Sequence, residues 1–499
     1  WAGNGSFSGS GSTIFNSLTV NASQTMTANS SFSLRAAFTC TGNFTSNATV
    51  TYIGTTTLSG AGRKSFKDVV VNGTSLTPTA AHTIRGNVTV TAGTLAAGSS
   101  TTTFGGTTTL SGAGSINFNN VTITATDTLT SSSGTVTIAG NFTNNGLFDP
   151  AGGTIAFSAT GATKSLQGSS AIPFNNITIA NTASATDVTN LNTTGVTVTG
   201  AVSVAASATL DVDGTGTGVF TLLSSADQPA VDGKIGPLLT GASVSGTFNV
   251  QRFITNEGRY YRYLASPVVG ATVSQWMTSF PVTGTFLDPS TTSCPGCNTT
   301  NPSLYYYDET TQAYVTYPPV GFASTDPVNA LLVNGKGYTP FIRQNLTGDN
   351  TVTVRGTHPS TAGVTLSTAP VGGDWSLVAN PYPCPIVWDN GAGWTKANIG
   401  DVISIRDNPS GIFQTFSAAA GTGVIAPGQA FWVQSTAGGA SLSVNENAKT
   451  ISLPSEFFRL SVPAGQDELV VSLTKPSTVY TSAATVRSLS VASDNYDSY

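Results

Sequence analysis

The chain has 499 residues but few charges: 19 are basic and 24 acidic, so charged side chains make up 9 % of it, against about 25 % in an average soluble domain. With so few basic residues the chain lacks the positively charged surface that binds a phosphate backbone, which argues against a nucleic-acid partner. The net charge of −5 gives no strong electrostatic steering. No run of 18 apolar residues occurs, so the sequence predicts no transmembrane helix.

The composition changes near residue 250. All but one of the 14 Tyr and all but one of the six Trp lie after this point, and the first Glu of the chain is Glu257. A shift of this size indicates a domain boundary. We predict three segments: residues 1–245, residues 246–452, and residues 453–499, the last of which starts a further β domain or supplies completing strands.

The first segment repeats itself at a spacing of about 52 residues. The sequence GTTTLSGAG at Gly54–Gly62 recurs at Gly106–Gly114. Runs such as Val88–Thr91 and Thr135–Ile138 consist of β-branched residues in an apolar–polar alternation, which predicts short strands. The intervals between these runs leave no room for crossover helices. A long repeat of short strands is typical of a parallel β-solenoid, also called a β-helix.

The repeat also predicts how the coils stack. Each unit would form two coils of about 26 residues or three smaller ones, and ten coils at about 4.8 Å each would make a rod roughly 50 Å long. Four phenylalanines at equivalent positions of the repeat are predicted to form one inward column: Phe15, Phe66, Phe118 and Phe174. Stacking explains the lack of charge as well, because a repeated charge would face its own copy, whereas Thr and Asn can hydrogen-bond along the stack.

The sequence of the second segment predicts a globular β domain. Its short runs are separated by Gly, Pro, Asn and Asp, which predicts a jelly-roll-like β-sandwich. The predicted strands include Leu304–Asp308, Ala313–Tyr317, Tyr338–Arg343, Thr351–Arg355, Trp375–Ala379, Val402–Arg406 and Ala430–Gln434.

Several motifs of this segment resemble a module of large secreted cell-surface proteins of the Bacteroidota. They are RYYRYLASP at Arg259–Pro267, GKGY at Gly335–Tyr338, WSLVANPYP at Trp375–Pro383 and IAPGQAFWV at Ile425–Val433. The resemblance implies Thr/Gly/Asn-rich repeats before the module, a following sorting domain, secretion by the type IX system and an extracellular location. Cys384 departs from the pattern, and the resemblance implies no reaction.

Two aspartates form the closest acidic pair of the first segment. Asp211 and Asp213 precede a glycine, so their carboxylates could offer oxygen ligands to calcium. The alternative is an Asp-rich turn, which we favour because the other ligands of a calcium loop are missing. We predict no other cofactor.

The four cysteines suggest one local disulfide. Cys294 and Cys297 lie in a CPGC segment within an Asn/Thr-rich loop, and a disulfide between them is the simplest interpretation for a secreted protein. A zinc site completed by Cys384 and His358 is the alternative. The sequence does not decide the pairing of Cys40 and Cys384.

Aromatic residues of the second segment are candidates for sugar contacts. On a strand, Tyr305 and Tyr307 share one face while Tyr306 points to the other, and Trp394 could extend a platform. The alternative is that these side chains belong to the core. Asp127-Thr128-Leu129 resembles the O-glycosylation motif of the Bacteroidota, which makes Thr128 a candidate modification site.

We therefore predict a structural or adhesive surface protein with no catalytic residue. The solenoid would be a stalk or a fibre-forming subunit whose open coil ends pair with a second copy. The sandwich would be a recognition or docking module, for example for another surface protein. One alternative is a carbohydrate-binding surface protein with a polysaccharide partner. A polysaccharide-degrading enzyme is a third possibility, and it would require two carboxylates facing one groove.

Overall fold

The structure is a computed structural model that describes residues 3–158, 163–180, 185–187, 195–214, 217–225, 232–254, 260–284, 301–318, 330–342, 351–389, 391–406, 413–417, 423–451, 468–474 and 481–487. Within these ranges the fold is nearly all β, with one short α-helix, α1 (Val273–Met277). A parallel β-solenoid comes first and other β-sheets follow it. The predicted fold class is confirmed.

The strands of the solenoid follow one another at short intervals. In chain order they are β1 (Gly5–Phe7), β2 (Thr13–Phe15), β3 (Leu18–Val20), β4 (Thr25–Ala28), β5 (Phe32–Leu34), β6 (Phe38–Cys40), β7 (Asn43–Ser46), β8 (Val50–Tyr52), β9 (Thr55–Ser59), β10 (Arg63–Phe66), β11 (Val69–Pro78), β12 (His82–Ile84), β13 (Val88–Leu95), β14 (Thr101–Phe104), β15 (Thr107–Ser111), β16 (Ser115–Phe118), β17 (Asn120–Ile123), β18 (Thr128–Thr130), β19 (Thr135–Ile138), β20 (Phe142–Asn144), β21 (Leu147–Asp149), β22 (Thr154–Phe157), β23 (Lys164–Gln167), β24 (Ile172–Phe174), β25 (Asn176–Ile179), β26 (Ala185–Asp187), β27 (Val196–Val198), β28 (Ala201–Val204), β29 (Thr209–Asp211), β30 (Phe220–Leu222), β31 (Lys234–Ile235), β32 (Ser243–Ser245) and β33 (Thr247–Phe253).

Each coil of the solenoid contains three strands, one on each face. One face is a sheet of twelve parallel strands in the order β1-β4-β7-β10-β12-β14-β17-β20-β23-β26-β29-β32. In this sheet Phe66, Ile84, Phe104 and Ile123 are neighbours in successive coils, so a coil takes 18 to 20 residues there. Most strands are short and bury alternate side chains, so the apolar residues of each coil pack only against adjacent coils.

The predicted column of four phenylalanines is wrong, although the solenoid itself is confirmed. Phe66, Phe118 and Phe174 are buried and Phe15 is half-buried, but Phe66 lies in the twelve-stranded sheet while the others lie on strands of the other two faces. The reason is the length of a coil. Strands β11 and β13 each run around a corner onto a second face, so each counts as two strands. With this count, each of these phenylalanines is eight strands from the next. Eight strands make two and two-thirds coils, so each repeat moves the motif to another face.

The repeated GTTTLSGAG motif occupies a corner of the solenoid in both copies. Its TTTLS part forms β9 and β15, which have the same alternation of buried and exposed residues. The glycines that follow, Gly60 and Gly112, have φ of +89° and +105°. A Cβ at either position would come within 2.3 Å or 2.1 Å of a carbonyl oxygen of the previous coil. Both the left-handed backbone and this close approach require glycine.

Uncharged polar side chains stack along the outside of the coils. On the twelve-stranded sheet one outward column runs through Thr27, Thr45, Ser65, Thr83, Thr103, Thr122 and Thr143. On other faces, hydroxyl pairs such as Thr89 and Ser111 are 3.1 Å apart. A charge at such a position would lie one strand spacing from its neighbour in the next coil. The observed columns agree with the predicted origin of the low charge.

Asparagine side chains connect each coil to the next. Asn120 Oδ1 accepts a hydrogen bond of 2.8 Å from the backbone N–H of Asn141, and Asn176 Oδ1 accepts one of the same length from Ala201. Asn87 and Asn141 bond Thr109 and Ser165 in the same way. Each of these amides satisfies a backbone N–H of the following coil.

We predict that Asn120→Ala lowers the free energy of unfolding by about 1–2 kcal/mol, because the N–H of Asn141 loses its acceptor. Asn120→Asp keeps an acceptor oxygen and should lose less. Urea denaturation followed by circular dichroism measures both variants. Equal losses for Ala and Asp would show that the hydrogen bond is not what stabilises the corner.

The second part of the chain consists of antiparallel strands. They are β34 (Tyr260–Tyr261), β35 (Leu304–Asp308), β36 (Ala313–Thr316), β37 (Tyr338–Ile342), β38 (Thr351–Thr357), β39 (Val364–Leu366), β40 (Trp375–Ala379), β41 (Ile386–Val387), β42 (Trp394–Ala397), β43 (Val402–Arg406), β44 (Phe413–Ser417), β45 (Val424–Ile425), β46 (Ala430–Gln434) and β47 (Ser441–Val444), followed by a 3-10 helix at Glu446–Ala448. The predicted strands of this part agree with these bounds to within two residues.

Three of the sheets in this part contain three or four strands each. The first has the strand order β34-β37-β35-β36, the second β40-β46-β43-β44, and the third β39-β47-β42. The second and third sheets contribute to one hydrophobic core, which contains Val378, Trp388, Trp394, Phe431 and Val444.

The last coils of the solenoid are joined directly to this second part. Strand β33 pairs in parallel with β30 on one edge and antiparallel with β38 on the other, with seven residue pairs from Thr247–Thr357 to Phe253–Thr351. On a second face, Ile235 of β31 donates to the carbonyl of Pro383 at 2.9 Å. The solenoid is therefore covered at two faces of this end.

Buried charges lie at the same junction. The Lys449 side chain is fully buried, and its ammonium group meets Glu446 Oε2 at 2.7 Å, His358 Nε2 at 3.0 Å and the carbonyl of Gly236 at 3.4 Å. Glu446 Oε2 also accepts from the N–H of Leu238 at 2.8 Å. Lysine has three donors, and here each has an acceptor.

Residues 458–499 form a separate unit. Its described part is an antiparallel hairpin of β48 (Glu468–Thr474) and β49 (Thr481–Arg487). Among the described residues of the whole chain, no helix has the length and hydropathy needed to cross a membrane.

Candidate ligand-binding surface

Strand β35 places its tyrosines on both faces of its sheet. Tyr305 and Tyr307 each line a surface depression. Tyr306 points the other way, where the Lys336 ammonium lies 4.4 Å from its ring centroid. The predicted alternation is confirmed, and it puts two of the three rings on one surface.

The first depression holds about 460 Å³ and lies where the first and second sheets meet. Arg406 crosses it: the guanidinium donates to the carbonyl of Tyr261 and lies 5.9 Å from the ring centroid of Tyr263. The described lining residues are Tyr261, Tyr263, Tyr305, Tyr314, Thr339, Arg406 and Phe413.

The second depression holds about 340 Å³ and shares Phe413 with the first. Tyr307 and Trp432 pack edge to face at a centroid distance of 4.7 Å, and Trp375 lies 6.5 Å from Trp432. Ser404 is the remaining lining residue. We call the rings of both depressions the aromatic surface: Tyr261, Tyr263, Tyr305, Tyr307, Tyr314, Trp375, Phe413 and Trp432.

Hydrogen bonds hold the aromatic surface together. Gln312 follows β35 and bonds both the N–H and the carbonyl of Trp375, at 2.8 Å and 2.9 Å. The hydroxyls of Tyr263 and Tyr314 are 2.9 Å apart. The Gln312 contacts join the turn between β35 and β36 of the first sheet to β40 of the second sheet.

The surface is exposed and almost uncharged. Tyr261, Tyr314, Trp375 and Phe413 are 38–47 % exposed, which is unusual for large aromatic side chains and marks interaction sites. Among the described residues of the two linings, Arg406 is the one that carries a charge. Burial raises the pKa of Tyr305, Tyr307 and Tyr314, so their hydroxyls stay protonated at neutral pH.

Trp394, the third predicted sugar contact, does not belong to this surface. It is 7 % exposed and packs against Trp388 at 4.7 Å, and its indole N–H donates to the carbonyl of Val387. It is a core residue, because β42 turns that side chain inward between the second and third sheets.

The carboxylates of Asp211 and Asp213 bond backbone groups. Asp211 Oδ1 accepts from the N–H of Gly214 at 3.1 Å, and Asp213 Oδ2 accepts from the N–H of Thr247 at 2.9 Å. The Asp211 bond is local to the turn, whereas Asp213 bonds the start of β33. Within the described residues no group of three or more His, Cys, Asp and Glu side chains is arranged to hold a metal ion.

Cys40 and Cys384 are free, buried thiols. Burial raises the pKa of both, that of Cys384 to about 11. Cys294 and Cys297 lie outside the described residues. Thr128 lies half-buried on β18, between Thr107 and Leu147 of the adjacent coils.

The other rings of the aromatic surface were not predicted from the sequence. Tyr261, Trp375, Phe413 and Trp432 come from β34, β40, β44 and β46, and only the sheet packing brings them to Tyr305 and Tyr307. A partial signal existed, since Trp375 starts a strand and Tyr261 lies in an aromatic run. Comparison of the chain with protein-family profiles, with curated proteins and with solved structures finds no match.

Proposed function

We propose that the chain is an extracellular structural or adhesive surface protein, in which the solenoid is a stalk and the second part is a recognition or docking module. The observation that carries this proposal is the double pairing of β33. It belongs at once to a solenoid face and, through β38, to the second part. A module joined in this way keeps its orientation on the stalk.

The surface of the solenoid fits a stalk. Its outward columns are Thr, Ser and Asn, and their hydrogen bonds connect coil to coil. Such columns give the described part of the solenoid a regular polar surface whose hydrogen bonds run along its length. We include no enzymatic activity in the proposal.

The partner would bind through the second part. The C-terminal end of the solenoid is covered by β38 and by the segment around Pro383, so stacking of a second copy on that end is disfavoured. The resemblance of the second part to a module of Bacteroidota surface proteins supports an extracellular location and secretion by the type IX system.

The location is tested on intact cells that produce the protein. We expect an antibody against the solenoid to label unpermeabilised cells, and brief proteinase K treatment to remove the label. A cytosolic marker protein that stays intact is the control. A protein that is protected until the cells are broken would contradict the proposal.

A further inference from the structure

The aromatic surface is an exposed cluster of rings in the described part of the second segment, and the proposed function does not say what it binds. Its two depressions adjoin at Phe413. Each has a volume in the range of small-ligand sites, and each combines rings with a few polar groups. A ligand that extends across both depressions would contact the rings of one and then the rings of the other.

The chemistry of the lining restricts the ligand. Among the described lining residues Arg406 carries the single charge, and it bonds the Tyr261 carbonyl and stacks on Tyr263, so these residues lack the several counter-charges that an extended acidic ligand would need. Single-stranded nucleic acid also stacks on aromatic rings, but it needs a positive groove along its backbone. An uncharged ligand fits best.

The hydroxyl groups of the surface favour a ligand that can donate hydrogen bonds. Tyr305 donates its proton to the carbonyl of Pro302 at 3.0 Å, and Tyr307 donates to Gln312 Oε1 at 3.3 Å. Their oxygens therefore face a ligand only as acceptors. A sugar hydroxyl can donate to them, whereas the carbonyl groups of a proline-rich peptide cannot.

The indole groups support the same choice. Aromatic grooves bind proline-rich peptides, and the peptide carbonyls then need donors. The Nε1 atom of Trp432 is buried, so it cannot serve as such a donor. Pyranose rings instead present C–H groups to aromatic faces and hydroxyls around the rim.

We infer that the aromatic surface binds a neutral oligosaccharide of several hexose units. This deepens the recognition role in the proposed function and rests on it. Phe413 lies between two subsites, one formed with Tyr261 and Tyr305 and the other with Trp375 and Tyr307. The described lining residues include no carboxylate, and the inference is restricted to binding.

The test is titration of the full chain with three neutral hexasaccharides, linked β-1,4, β-1,3 and α-1,4, followed by isothermal calorimetry and tryptophan fluorescence. We expect at least one to bind. Trp375→Ala and Phe413→Ala should each weaken that binding about tenfold, and Trp375→Phe should restore part of it. Leu147→Ala, which removes an exposed side chain on the solenoid, should change nothing.

Three results would overturn the inference. They are no binding by any of the three hexasaccharides at millimolar concentration, unchanged binding by folded Trp375→Ala and Phe413→Ala variants, and binding of a proline-rich decapeptide in place of the sugars. Circular dichroism establishes that the variants are folded. A chain that is exposed on cells but binds none of the sugars refutes this inference alone, whereas sugar binding by a chain protected inside cells refutes the surface location alone.

Discussion

Replacing Glu446 by alanine is expected to lower the free energy of unfolding by about 3–5 kcal/mol, because it leaves the Lys449 ammonium as an uncompensated buried charge. Lys449 is fully buried, and Glu446 Oε2 lies 2.7 Å from it. Burial lowers the pKa of Lys449, and the neighbouring Glu446 carboxylate opposes that shift. Without Glu446 the N–H of Leu238 also loses its acceptor.

The third group of this junction stays neutral. Burial and the Lys449 ammonium lower the pKa of His358 to about 3. Its Nδ1 lies 2.7 Å from the carbonyl of Pro359 and Nε2 lies 3.0 Å from Lys449. Nδ1 therefore carries the proton, and Nε2 accepts from the ammonium group. Glu446 is the only negative charge in contact with Lys449 among the described residues, which is why its loss should be severe.

Two controls separate charge from packing. Glu446→Gln combined with Lys449→Met removes both charges at similar volume and should recover much of the lost stability. Asp401→Asn removes a carboxylate that is 79 % exposed and pairs with Lys396 at 3.0 Å, so its effect should stay below about 1 kcal/mol. Urea denaturation followed by tryptophan fluorescence measures all of these variants. A loss for Glu446→Ala no larger than that for Asp401→Asn would refute the prediction.

The fold was predictable because each strand carries its own signal. The alternation in TTTLS or TVTI determines which side chains point inward, whichever face the strand occupies, and that is enough to predict a solenoid. It does not determine the number of residues in a coil. That number depends on the corners, where Gly60 and Gly112 turn the chain against the previous coil. The 52-residue spacing therefore revealed the repeat but gave the wrong stacking of Phe66 and Phe118.

The candidate site was predictable only where its residues share a strand. Tyr305 and Tyr307 are two residues apart on β35, so their common face follows from the geometry of a strand. Their neighbours Trp375 and Trp432 belong to a different sheet, and only long-range packing places them next to Tyr305 and Tyr307. For Trp394 the sequence left both core and surface open, because both environments favour aromatic residues.

Acidification is expected to destabilise the solenoid through His82, which points inward from β12 and is buried. Its Nδ1 lies 3.1 Å from the carbonyl of Ala80 and its Nε2 lies 3.2 Å from the hydroxyl of Thr102. Nδ1 thus carries the proton, and Nε2 accepts from Thr102. Burial lowers the pKa of His82 from 6.5 to about 4, and the nearby Lys64 ammonium adds to this shift.

The lowered pKa of His82 determines how stability changes with pH. Because the pKa is lower in the folded state, protonation favours the unfolded chain. The stability is complete above pH 6.5 and is lost as the pH falls toward 4, by about 3 kcal/mol in total at 1.36 kcal/mol per pKa unit.

A double variant isolates this contribution from that of the carboxylates. Successive inward positions of the twelve-stranded sheet hold His82, Thr102, Val121 and Phe142. The variant His82→Phe with Thr102→Val therefore copies residues that the neighbouring coils already accommodate. It removes both partners of the His82–Thr102 hydrogen bond, and the carbonyl of the half-buried Ala80 loses its bond to His82. Urea denaturation at pH 7.5, 6.5, 5.5 and 4.5 should give a smaller loss of stability for the variant than for the original chain, by about 2.5 kcal/mol over this range. All other titrating groups are common to both proteins, so their contributions cancel in the difference. An equal loss of stability in the two proteins would contradict the prediction. It would mean that His82 is protonated inside the folded solenoid at pH 4.5, despite its two hydrogen bonds and its burial.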